Sequence, residues 1–255
     1  MINKLFGVFS VLAVLVGVAL TVFEIGFGTL EFHTTLVHAT AQSEERMQEI
    51  FNQLPDGAPS DWNLVLVNFN HAIEEENPPL ATLSNGMQID ERILNAWKDL
   101  EQAAQAAGYP LRFISGFRTV AEQRSLVEQN VQANIDLGMD PETARIATMR
   151  VMTEPGHSEH HTGLAIDIVG VSYFHEHYAN LLTQDFANDS SAQWLATNAQ
   201  RFGFILRYGR GMEGITGIDF EPWHFRYVGI PAAEYMTSHH LTLEEYIELL
   251  KKAGR

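Results

Sequence analysis

The sequence predicts an α+β fold, and three observations carry that prediction. Capped helix signals and short apolar strand runs alternate irregularly along the chain, with no repeating strand–helix–strand unit. Hydrophobic residues make up 45% of the 255 positions and charged residues 19%, a balance that supports a packed core. No internal repeat is visible. The domain layout expected is an N-terminal apolar segment over 1–23, a linker over 24–60 and a globular domain over 61–255.

The N-terminal segment has Lys4 followed by nineteen uncharged residues from Leu5 to Phe23. As a helix this run would be roughly 28 Å long, enough to cross a bilayer. A cleaved signal would need a small-residue site close behind it, and Ala39-Thr40-Ala41 lies well downstream. The pattern therefore favours an uncleaved single-pass transmembrane anchor with Lys4 inside and the domain exported, with secretion after cleavage as the alternative. Residues 24–60, with the breaker run PDGAPSD, read as a stalk.

From Asp61 the texture is globular. WNLVLVNF reads as a strand, and the acidic run Glu74-Glu75-Glu76 before NPP as a solvated loop. Asp90 can cap a helix that Gly108 and Pro110 stop near Ala107. LRFIS is a short strand. Thr119 with Glu122 forms a capping box for the helix VAEQRSLVEQNVQANI, and Asp140-Pro141 starts another helix reaching about Met152. GLAIDIV, GFILRY and WHFRYV read as strands, residues 172–190 as a polar stretch, Trp194–Phe202 as a helix and Leu243–Lys251 as the last one.

Composition narrows the chemistry. Sixteen basic against 32 acidic residues give a formal charge of −16, which argues against nucleic acid or anionic lipid as a partner of a basic face. With no cysteine, disulfides, thiolate metal sites and cysteine nucleophiles are excluded. A transition metal would have to be held by His, Asp and Glu.

The segment PGHSEHHTGLAIDI concentrates such residues at 155–168. His157 and His161 are four apart, but Pro155-Gly156 and Thr162-Gly163 leave barely one helical turn, and the order matches neither common helical zinc motif. On a strand, Leu164, Ile166 and Ile168 share one face while Ala165 and Asp167 share the other. Asp167 is then a lone carboxylate in an apolar strand and needs a partner. A bend at Gly163 would let His160 converge on it, giving a ligand pair; a salt-bridged aspartate with surface histidines accounts for the segment equally well. FEPWHFRYV adds Glu221 three residues before His224, with Pro222 enforcing an extended entry. His224 would complete a His2Asp site with a position left open, and Glu221 would stand beside it as a base; an aromatic core strand is the competing reading. Ser115-Gly116-Phe117-Arg118 precedes the Thr119 cap, so Arg118 and the helix amides could cradle a carboxylate, or Arg118 could pair with Glu122. His157 and His161 read as neighbours of the ligand, His175 and His177 as solvated, and His239-His240 as facing water or capping the last helix.

Together these pieces resemble the VanY-type D-alanyl-D-alanine carboxypeptidases, zinc peptidases of peptidoglycan. The matching residues are Ser158-x-His160-x-x-Gly163-x-Ala165-x-Asp167, Glu221-x-Trp223-His224, and Ser115-Gly116-Phe117-Arg118 with Gln123, spread from roughly Asp61 to the FRYVG stretch. The resemblance implies a small, mainly antiparallel sheet flanked by helices and one zinc ion on His160, Asp167 and His224. It implies Glu221 as general base and then acid, Arg118 at the reacting end of the substrate, and Gln123 and Ser158 as substrate contacts. The substrate implied is a peptidoglycan stem peptide losing its C-terminal D-alanine, acted on by a monomer whose domain lies outside the cell membrane. An L,D-carboxypeptidase or wall endopeptidase would use the same centre, and a non-catalytic zinc and wall-peptide module is a further alternative.

Overall fold

The computed structural model describes residues 48–73 and 78–255. The apolar run from Leu5 to Phe23, most of the expected stalk and the 74–76 acidic run lie outside those residues. Among the described residues no helix is long and apolar enough to cross a membrane.

The site is organised by a four-stranded antiparallel sheet of β3 (Leu111–Ser115), β4 (Ala165–Gly170), β6 (His224–Tyr227) and β5 (Phe204–Leu206), in that spatial order. A small hairpin of β1 (Leu80–Thr82) and β2 (Gln88–Asp90) precedes it. Each strand is short because the apolar runs are short. One face of the central pair, with Leu164, Ile166, Ile168, Trp223 and Phe225, joins a continuous core with Trp97, Leu100 and Ala104 of α1 (Leu94–Ala106) and with Leu195, which follows the buried Ala192 on a second helix, Ser190–Asn198. The other face carries Asp167, His224 and Arg226, so the alternation read in GLAIDIV and WHFRYV separates core from chemistry.

Helix signals translate directly into caps. Thr119 and Glu122 make the expected reciprocal capping box for α2 (Val120–Asp136), and the Asp140 carboxylate accepts from Glu142 and Thr143 at the start of α3 (Pro141–Met149). Asp90 caps a 3-10 turn, Glu91–Ile93, that leads into α1. The polar stretch near 172–190 contains α4 (Val171–Glu176), which carries His175, followed by a 3-10 turn, Gln184–Asn188; Ser190–Asn198 is α5, extended by a 3-10 turn to Phe202. After the short α6 (Glu213–Thr216) come α7 (Ile230–His239) and α8 (Leu243–Lys252).

Several features differ from the sequence reading, the β1–β2 hairpin and α4 among them. WNLVLVNF is not a strand: apart from the isolated Asn68–His71 bridge it has no ladder. Its carbonyls serve a side chain instead, since the Arg226 guanidinium donates to Asn63 O at 3.2 Å and Val65 O at 2.7 Å. Leu64 and Val67 are nevertheless buried, which explains the apolar pattern. The helix α7 was not anticipated, because IPAAEYMTSH has apolar or small residues most of the way round.

Candidate metal centre

The centre is built from three segments brought to one edge of the sheet. The first is the 3-10 turn Glu159–Thr162, which the Ser158 hydroxyl starts by accepting from the His160 amide at 3.4 Å. Gly163 ends the turn in the left-handed region at φ 69°, and a Cβ there would lie 2.8 Å from the Asp90 amide nitrogen. The bend expected at Gly163 therefore exists and requires glycine for two reasons, its φ and its neighbour. It swings His160 back over the strand that follows.

The second segment is β4 itself. Asp167 pairs across the sheet with His224 on one side and with Ser115 on the other. The β3–β4 register slips by one residue between Phe113 and Ser115, a bulge that turns the end of β3 toward Asp167. The third segment is the entry to β6. Pro222 holds Glu221 extended, the Glu221 amide donates to Tyr208 O at 3.1 Å, and the His224 amide donates to Glu221 O at 3.2 Å.

His160 Nε2 lies 3.3 Å from Asp167 Oδ2, and His224 Nδ1 lies 3.2 Å from Asp167 Oδ1. One ligand atom from each of the three residues falls within 4.8 Å of the others, and all three residues are buried. Donor atoms on a tetrahedral zinc with bonds of ~2.1 Å sit about 3.4 Å apart; the two imidazole nitrogens approach that spacing from the Asp167 carboxylate, each toward a different oxygen of it. Asp167 Oδ1 is buried with no hydrogen-bond donor, as expected of an oxygen whose partner is a cation. The set of two imidazoles and a carboxylate, with no thiolate, fits zinc.

The other ring nitrogen of His160, Nδ1, lies 2.7 Å from Gly116 O and donates to it, which leaves Nε2 free to coordinate. Gly116 sits there against β2 because it has no Cβ; one would meet Gln88 O at 2.3 Å. His161 is turned away: it accepts at Nε2 from the Gly156 amide at 3.1 Å and so donates from Nδ1 to Arg118 O at 2.7 Å. His157 Nδ1 is bound to Asn68 O at 2.8 Å. Both act as braces of the loops around the centre.

Glu221 Oε2 is 3.6 Å from His224 Nδ1, and burial pushes its carboxyl up to about 8. Burial also opposes ionisation of Asp167, yet the flanking His160 and His224 hold it well below the usual carboxylate range. The two histidines diverge. Burial and the charge of Arg118 lower His160, whereas in His224 the nearby Asp167 and Glu159 carboxylates outweigh burial and raise it to about 9. In the metal-free centre His224 therefore favours the imidazolium form at neutral pH and His160 the neutral ring.

Arg118 reaches the same space, with Nη2 3.9 Å from Asp167 Oδ2. It donates to Gln123 Oε1 at 2.6 Å and Ser115 Oγ at 3.0 Å, while Gln123 Nε2 donates to Thr153 O at 2.8 Å. Gln123 is fully enclosed and its amide is engaged on both sides, so its visible task is to aim Arg118. Glu122 is occupied by its capping box, which removes it as the competing partner of Arg118.

Sequence reasoning missed Glu159, Arg207 and Arg226, all buried beside the centre. A signal existed: Arg226 falls on the same strand face as His224, and an inward-facing arginine requires an acid.

Comparisons agree with this geometry. Residues 86–230 match the family model described as VanY: D-alanyl-D-alanine carboxypeptidase. A D-alanyl-D-alanine carboxypeptidase of Enterococcus faecalis (strain ATCC 700802 / V583) is 37% identical over 76% of this chain and 69% of its own. A crystal structure of a mutant of the vancomycin resistance D,D-pentapeptidase VanY, in complex with Zn(II), superposes with a TM-score of 0.65 at 37% identity, covering 73% of this chain and 99% of that one. The LdcB LD-carboxypeptidase gives 0.62 at 31% identity, over 74% of this chain and 87% of its own. The chain belongs to the VanY family of D-alanyl-D-alanine carboxypeptidases.

Proposed function

We propose that this protein is a zinc-dependent D-alanyl-D-alanine carboxypeptidase that removes the C-terminal D-alanine from peptidoglycan stem peptides. The observation that carries the reading is the buried convergence of His160, Asp167 and His224, with Glu221 3.6 Å from His224. Those three side chains would hold the ion through Nε2, a carboxylate oxygen and Nδ1. Zinc bound there supplies Lewis acidity to the scissile carbonyl and makes water acidic enough to be deprotonated near neutral pH.

Glu221 takes the proton from the attacking water and returns it to the leaving D-alanine nitrogen. Its buried position beside the candidate ligand His224 suits both transfers. Arg118 binds the terminal carboxylate or the developing oxyanion, preorganised by Gln123 and Ser115. Ser158, at the start of the His160 turn, contributes as a substrate contact. All these residues belong to one chain, so a monomer suffices. The substrate lies outside the cell membrane, where the Leu5–Phe23 run would anchor the chain and residues 24–60 would space the catalytic domain from the bilayer.

The D,D reading is favoured over an L,D one because the D-alanyl-D-alanine enzymes reach 37% identity against 31% for LdcB. Mass analysis of zinc-loaded protein with pentapeptide and tetrapeptide stems tests it. Loss of one alanine from the pentapeptide alone supports D,D specificity; trimming of the tetrapeptide assigns the L,D reaction instead.

A further inference from the structure

Behind His224, on the side away from Asp167, lies a buried ionic cluster that the proposed reaction does not use. Glu159 Oε1 accepts from Arg207 Nε at 2.7 Å and from Arg226 Nη1 at 2.9 Å. Arg207 in turn forms a two-pronged pair with Glu244, at 2.9 and 2.6 Å, on the first turn of α8. Glu159, Arg207 and Arg226 have side chains with no solvent exposure. Both arginines are directed to Oε1, which leaves Oε2 of Glu159 without a donor. His224 Nε2 is likewise buried without a partner, and the two atoms face each other at 3.5 Å.

We propose that Glu159 is a positioning residue for His224: its Oε2 accepts the Nε2 proton of the ring, which fixes the tautomer that offers Nδ1 to the metal. The inference rests on the zinc-site reading above. A buried ion cluster is a poor source of net stability, because desolvating four charged groups offsets most of their attraction. It is a good way to fix an orientation. With Oε1 held by Arg207 and Arg226, the carboxylate has one oxygen left, and that oxygen faces His224. Arg207 and Glu244 extend the hold to the C-terminal helix, so α8 helps set the angle of a ligand on β6. His160 is treated the same way by different means, with Gly116 O fixing its Nδ1 proton. Each histidine ligand thus has its second nitrogen committed to an oxygen.

The test uses the full chain with zinc alone as the probe, so it does not depend on which peptide is cleaved. Competition titration against a chromophoric chelator should show Glu159→Gln binding zinc about ten- to a hundredfold more weakly than the parent. Because two buried arginines could then prevent folding, a second measurement is made on the unsubstituted protein. Long-range proton–nitrogen correlation spectra of 15N-histidine-labelled, zinc-loaded chain should show His224 protonated at Nε2, with that proton slow to exchange. A folded Glu159→Gln with unchanged zinc affinity, or a His224 coordinated through Nε2, overturns the proposal. Absence of peptidase activity in the parent would reject the functional reading while leaving this one standing.

Discussion

Asp167 and His224 are directly opposite one another across the β4–β6 pairing, with Oδ1 of the carboxylate 3.2 Å from Nδ1 of the imidazole. Two candidate ligands are therefore fixed by backbone register, and only His160 arrives from a turn. A one-residue slip of either strand would carry its ligand into the core face and leave the other without it.

The assignment of His160 over its neighbour is directly testable. His160→Ala should abolish stoichiometric zinc and activity together. His161→Ala should retain one zinc per chain by elemental analysis while losing about 1–3 kcal/mol of stability, since the Gly156 amide and Arg118 carbonyl lose their partner. The reverse pattern would show that the wrong histidine was assigned.

Arg118 and Gln123 should separate by rank. Arg118→Ala is expected to lower kcat/KM about a hundredfold or more with zinc content unchanged. Gln123→Ala acts only through the aim of Arg118, so its loss should be closer to about tenfold. Steady-state kinetics on a pentapeptide stem checks both, and a larger defect in the Gln123 variant would assign it a direct contact with substrate.

Protonation gives a third prediction, with a defined sign. In the metal-free protein His224 is raised from 6.5 to about 9, and Glu221 from 4.5 to about 8. Both shifts are upward, so the stability they contribute is complete below the ordinary values and is lost as pH rises through the raised ones. His160, lowered from 6.5, acts in the opposite sense below that value, so the melting temperature of chelator-treated protein should fall between about pH 7 and about pH 9. Zinc affinity should rise over the upper part of that range, as the metal displaces the His224 proton more easily. A melting temperature that climbs with pH across that range contradicts the scheme.

Much of the centre was legible because local rules bear on it. Gly163 marked the bend, Pro222 the extended entry of Glu221, and strand alternation the face of Asp167. The ionic cluster was not legible, since Glu159 meets Arg207 and Arg226 across 48 and 67 residues of sequence. In the fold, capping chemistry located α2 and α3 correctly, whereas WNLVLVNF misled. Its buried Leu64 and Val67 read as a strand, but its carbonyls are directed to Arg226 rather than to a neighbouring strand. Gln123 shows the same limit at the scale of one residue: the sequence offered it as a substrate contact, and its bonds to Arg118 and to Thr153 O, 30 residues away, could not be read there.

The most direct test of the central claim is a paired measurement on Glu221→Gln, zinc content and hydrolysis of a pentapeptide stem in the same preparation. The variant should bind one zinc as the parent does and release D-alanine at least about a hundredfold more slowly, because a carboxamide cannot carry the proton from water to the leaving amine. A zinc-loaded Glu221→Gln that hydrolyses the peptide at the parental rate would contradict it.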